Sequence, residues 1–172
     1  GGSNGILNFY DVGVPTAPVL KGSLNLISEI RQVRIKGSRV YAVQNSVYMR
    51  IIDISNLAAP SLMSSTSTGS TTYAIDVYDN IAFVGRNGAY VYVYDVLNGT
   101  IPVSKGAKSL GVGTIQDVRV DGASGLLYAV VDNGSSSYLA VLDVHDYNNI
   151  VEIGRVTVPG TPRRVEIAGD KV

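Results

Sequence analysis

The chain has 172 residues, 45% of them apolar and 16% charged, with 14 basic residues balancing 14 acidic ones. That length supports one good core. Zero formal net charge argues against a nucleic-acid or anionic-lipid binder, which needs a basic face, and the absence of cysteine excludes disulfides and thiolate metal sites.

No apolar run approaches a bilayer span, so no direct membrane span is expected in this segment. The 19 glycines, with abundant Ser, Thr, Val and Ile, point to strands and tight turns. No stretch carries the periodicity of an amphipathic helix.

The dominant signal is an internal repeat. ILNFYDV, YMRIIDI, YVYVYDV and YLAVLDV end on Asp11, Asp53, Asp95 and Asp143, at spacings of 42, 42 and 48 residues. Seven residues after each Asp stand Pro18, Pro60, Pro102 and then Ile150. The six extra residues of the last interval fall before Val118, in the DGASG turn and in VDNGSSSY. These are turns, where insertions cost little.

In chain order, residues 1–26 read as strands C and D of a first blade. The opening Asn4-Gly5 sits at a B–C hairpin turn. Residues 27–68, 69–110 and 111–158 read as three full blades, and 159–172 as strand A and part of strand B of a further one. Within 27–68 the strands fall near 31–35, 40–44, 47–54 and 61–66. Across the units (PVLKGSL, PSLMSST, PVSKGAK, IVEIGRV) the fourth strand is the most polar, and the leading Pro of three and the internal Lys of two suit an exposed edge.

The C strands carry apolar or aromatic residues at both parities, as in Tyr90-Val91-Tyr92-Val93-Tyr94 and in Leu7/Phe9 against Ile6/Tyr10. Strands covered on both faces distinguish a propeller from a half-wet sandwich. The expected fold is all-β, a β-propeller of four-stranded antiparallel blades about 42 residues apart. A segment of a larger propeller is favoured over a closed four-bladed ring.

RIIDISNLAAP, with VYAV upstream, resembles the LVIVD repeat. The resemblance spans the whole chain, clearest in the second unit and weakest in the fourth, where Ile150 replaces Pro. It implies a β-propeller of an exported or cell-surface protein, with an extracellular location. It implies little about activity, because the repeat is scaffold.

Asp11, Asp53, Asp95 and Asp143 are expected to cap their own turns, each carboxylate accepting backbone N–H bonds in the C–D loop. Arg34, Asp76, Arg119 and Glu166 occupy one position of the innermost strand with alternating sign. They are expected to pair from blade to blade around the channel, with four independent solvated charges as the alternative. Asn98-Gly99-Thr100 and Asn133-Gly134-Ser135 are glycosylation sequons in expected loops, so Asn98 and Asn133 are candidate glycan sites.

His145 reads as a surface residue, and Asp121-Gly122 and Asp132-Asn133 lack the spacing of a calcium loop. No nucleophile elbow, P-loop or histidine cluster occurs. No catalytic residue, metal or cofactor is assigned.

The function expected is a non-enzymatic scaffold binding protein or carbohydrate partners, with self-association through outer strands as a variant. Exposed Tyr73 and Tyr147 would suit such recognition surfaces. The competing expectation is part of an exported hydrolase, lyase or oxidoreductase, with Gln32, Asp76, Asp117 and Arg164 near the channel mouth.

Overall fold

The computed structural model describes residues 4–169 and 171–172. The first three residues of the opening GGSNG therefore lie outside the described residues. Asn4 is in a turn and Gly5 has φ +72°.

Among the described residues fourteen strands form one hairpin and three four-stranded antiparallel sheets. Strands β1 (Ile6–Asp11) and β2 (Val19–Asn25) make the hairpin. Strands β3 (Ile30–Lys36), β4 (Arg39–Gln44), β5 (Tyr48–Asp53) and β6 (Ser61–Ser67) follow in simple up-and-down order. So do β7 (Thr72–Tyr78), β8 (Ile81–Arg86), β9 (Tyr90–Asp95) and β10 (Val103–Ser109). The last sheet is β11 (Thr114–Asp121), β12 (Leu126–Asp132), β13 (Tyr138–Asp143) and β14 (Val151–Thr157). Among the described residues no helix is long and apolar enough to cross a membrane.

The turns follow from local chemistry. Gly37-Ser38 joins Lys36 to its partner Arg39, with Gly37 at φ +56°. Asp79-Asn80 does the same between Tyr78 and Ile81, with Asp79 at φ +49°. Both dipeptides supply the left-handed backbone that a two-residue hairpin requires.

The core lies between sheets, because each middle strand feeds two cores by alternation. Val40 and Ala42 of β4 pack toward the β1–β2 hairpin with Phe9, Leu26 and Ile52. Tyr41 and Val43 of the same strand pack the other way with Met49, Ile51, Ile75 and Val84. In β8, Ala82 and Val84 join that second cluster, while Ile81 and Phe83 enter a third with Ile115, Leu127 and Leu142. Adjacent sheets are thereby welded face to face, the arrangement of propeller blades.

Two sequence expectations differ here. Strand β1 is covered on one face only: Phe9 is buried against β3–β6, but Ile6 is 37% and Tyr10 51% exposed, with no described element over them. Among the described residues of 159–172 there is no named strand, only the bridge Ala168–Lys171 beside a turn at Gly169. A two-stranded arm this short has too few ladder bonds to hold as a hairpin; it instead runs beside β11 through the polar contacts described below.

Every inner strand carries a bulge at the same place. Arg31, Tyr73 and Gln116 are each skipped in the pairing with β4, β8 and β12. A second bulge skips Lys21, Met63, Lys105 and Ile153 on the outer strands. A bulge re-aims the extra side chain and bends its strand.

Candidate functional site

The four repeated aspartates close their own loops. Asp11 Oδ1 accepts from the Gly13 N–H at 2.8 Å, Asp53 from Ser55 at 2.7 Å, Asp95 from Leu97 at 3.0 Å and Asp143 from His145 at 3.0 Å. The outer-strand bulge aims Lys21 at Asp11 (3.4 Å) and Lys105 at Asp95 (3.5 Å). His145 Nδ1 lies 2.8 Å from Asp143, so its ring serves the same turn.

These backbone bonds hold the Asp11, Asp53 and Asp143 carboxyls below the ordinary range. Their help to the fold is therefore complete above the unfolded value, roughly pH 4, and is lost as pH falls through the lowered one. The melting temperature of Asp53→Asn should fall below that of the parent at neutral pH, and the gap should close on acidification. Thermal unfolding from neutral to acid pH checks this; a gap that does not change with pH contradicts it.

A second turn cap escaped the sequence reading. Asn56, Asn98 and Asp146 stand three residues after the capping Asp. They accept from Ala58 (3.1 Å), Thr100 (3.1 Å) and Asn148 (2.9 Å). The repeat of Asn or Asp at that offset was the available signal. Asn98, in the first sequon, thus has a turn role shared with two residues outside any sequon; its side chain is exposed, and Asn133 is half-buried. Asp121 and Asp132 likewise accept from Ala123 and Gly134, each at 3.0 Å, inside their own turns. Among the described residues no three histidine or carboxylate side chains gather to hold a metal ion.

The inner strands β3, β7, β11 and the segment 163–167 line the axis. Arg34 Nε meets Asp76 Oδ1 at 2.9 Å, and Arg119 grips both oxygens of Glu166 at 2.9 and 3.2 Å. Between them lies Asp117, fully buried. Its Oδ1 accepts from Gln32 Nε2 (2.6 Å), the Val118 N–H (3.0 Å) and Arg119 Nη1 (3.0 Å). Its Oδ2 accepts from the Val165 N–H at 3.1 Å. Burial pushes the Asp76 and Asp117 carboxyls up, partly opposed by these bonds.

The bonds have a common direction. Gln32 accepts from the Ile75 N–H at 2.6 Å, Asp76 from Val120 at 3.0 Å and Asp117 from Val165. In each case an inner strand satisfies a backbone donor of the next segment around the axis, β7, β11 and then 163–167. An edge strand has unpaired N–H groups on its free side, and burying them unbonded would be costly. Stitching them to a neighbour's side chain solves that problem and fixes blade order.

Above this layer the axis opens into two adjoining cavities of about 190 and 220 Å3 that share Arg31, Gln32 and Arg164. Tyr73, Gln116 and Arg163 complete the first; Arg34 lines the second. Arg31, Tyr73 and Gln116 are the bulge residues of β3, β7 and β11. Arg163, directly before Arg164, is their counterpart in the last segment. Of the four residues expected at a catalytic mouth, Gln32, Asp76 and Asp117 are held in the stitching, and Arg164 stands at the cavity. Tyr147 instead packs edge-on to Phe83, with ring centroids 6.1 Å apart.

Radial sheets with cores between them and inner strands around a common axis define a β-propeller. The LVIVD repeat model matches residues 29–68, the stretch that holds the blade β3–β6. No curated protein matches the chain.

Solved structures do match. A candidate 6-phosphogluconolactonase from Bacteroides fragilis superposes with a TM-score of 0.78 at 12% identity, over 97% of this chain and 56% of that one. A protein from Lactobacillus plantarum gives 0.77 at 15% identity, over 94% and 54%. Sqt1 of Chaetomium thermophilum, bound to the N-terminus of ribosomal protein L10, gives 0.69 at 13%, over 86% and 42%. The chain thus spans about half the length of these structures, and at such identities they share its fold alone.

Proposed function

We propose that this propeller is a non-enzymatic scaffold of an exported or cell-surface protein that binds protein or glycan partners through its loops. The observation behind this reading is the use of its axial polar groups. Gln32, Arg34, Asp76, Asp117, Arg119 and Glu166 bond to each other and to backbone, leaving no acid, base or nucleophile free among them. Catalysis needs such a group within reach of a substrate atom.

Sqt1 offers a precedent for a propeller in complex with a peptide segment. Glycans on Asn98 and Asn133, both in loops, belong to the same reading, as does self-association through the outer strands. Those strands expose Val19, Leu20, Leu62, Val103 and Ile153; charged side chains that discourage indiscriminate edge pairing interrupt β2, β10 and β14, while β6 carries none.

Protease shaving of intact producing cells, followed by mass spectrometry, tests the location. Release of peptides from this chain before lysis is the expected result, with sequon peptides shifted by glycan mass. Recovery of these peptides only after lysis overturns the surface reading.

A further inference from the structure

We propose that the axial mouth is a binding site for a small anion, a ligand carrying a phosphate or carboxylate group. The inference goes beyond the scaffold reading and does not depend on where the protein resides.

The chain as a whole is neutral, yet Arg31, Arg163 and Arg164 line a single cavity. They come together for a structural reason. The same bulge recurs in β3, β7 and β11, turning Arg31, Tyr73 and Gln116 toward that cavity, and Arg163 holds the corresponding place in the last segment. Bulges recur beside binding sites because they re-aim a side chain without breaking the sheet.

The count of donors against acceptors decides the sign of the ligand. Asp117 is the acid beneath the mouth, and its two oxygens already take four hydrogen bonds. Three of those bonds fall on Oδ1 and one on Oδ2, and the side chain is fully buried, so the carboxylate presents no acceptor to the mouth. Gln116 Oε1 accepts from Arg163 at 3.3 Å, and Gln116 Nε2 donates to Asp132 at 3.5 Å. Glu29 meets Arg31 at 3.6 Å, a loose and exposed pair.

The donors are left over. Among the described residues Arg164 makes no hydrogen bond or close ion pair; its charge acts only at longer range, on the exposed Glu166. Arg34 Nη2 is buried with no hydrogen-bond acceptor, 3.8 Å from Asp117 Oδ1, in a side chain lining the adjoining cavity. Orphaned buried donors are rare and call for a partner. Guanidinium groups bind phosphate and carboxylate in two-pronged fashion. Arg31 is also braced over the Tyr73 ring at 5.3 Å, which limits the freedom it would lose on binding.

Isothermal titration of the full chain at low salt tests the site, with inorganic phosphate and D-glucuronate as probes and D-glucose as the neutral control. The expected result is saturable binding of at least one anion at one site per chain, and none of glucose. A preference for phosphate assigns a phosphate ester as the ligand, and a preference for glucuronate assigns a sugar acid. Arg164→Ala should weaken binding by about tenfold or more, the worth of a charge-assisted hydrogen bond. Its melting temperature should be unchanged, because Arg164 is exposed. Failure of both anions to bind at about 10 mM, equal binding of glucose, or equal binding by Arg164→Ala and Arg31→Ala overturns the proposal.

Discussion

Replacing Asp117 by alanine should cost about 3–5 kcal/mol, the penalty for removing one partner of a buried charge network. The carboxylate joins three segments far apart in sequence: Gln32 of β3, Arg119 of its own strand and the backbone of Val165. Alanine leaves the Gln32 amide and the backbone N–H groups of Val118 and Val165 without that acceptor, and Arg119 Nη1 with the Val118 carbonyl alone. A fold of this size has roughly 5–15 kcal/mol in total, so the variant should unfold at far lower denaturant than the parent. Asp117→Asn keeps one carbonyl acceptor and should fall between the two. Urea unfolding with an unchanged slope measures the effect. A loss below about 1 kcal/mol, the worth of one ordinary hydrogen bond, would show that the network is ornamental.

The second large effect is expected at Phe83. It is 1% exposed, the largest fully buried side chain, and sits where β8 meets β11–β14. Its ring meets Tyr147 edge-on. Phe83→Ala removes the transfer energy of the ring and opens a cavity between two blades, at a cost of about 3–5 kcal/mol. The informative feature is cooperativity. Since the core lies between blades, one cavity should lower the stability of both sheets together. Tyrosine fluorescence and far-ultraviolet dichroism should therefore report one coincident transition. Separate transitions for the two sheets would mean that blades fold as independent units.

The repeat was legible in the sequence because propeller blades impose the same demands on every copy. Asp at the end of the third strand, a glycine or asparagine at the hairpins and alternating apolar residues recur with a fixed offset. The row Arg34, Asp76, Arg119 and Glu166 could be aligned for the same reason. Asp117 gave no such signal. Its counterparts are Gln32, Ala74 and Arg164, four different side chains that cooperate only once the strands surround one axis.

The mouth residues were hidden by a different cause. A bulge changes which residue pairs with which, and neither composition nor periodicity records that change. Arg31 opens its expected strand, and nothing in the sequence marks it or Gln116 as more than polar. Tyr73 read as a general recognition residue. The uncovered face of β1 shows the opposite limit: Ile6 and Tyr10 have the pattern of a doubly packed strand, but a pattern states a preference and packing requires a neighbour.

The central claim is that inner strands are held by side chains of the preceding blade. Native-state hydrogen exchange of the Ile75, Val120 and Val165 amides tests it most directly. These three N–H groups donate to Gln32, Asp76 and Asp117, two of them on the free side of β7 and β11 and the third in the segment 163–167, where no ladder partner exists. They should exchange as slowly as amides of the central strands β4, β8 and β12, and Asp117→Asn should speed Val165 ahead of the other two. Exchange of all three at the rate of open loop amides would contradict the account.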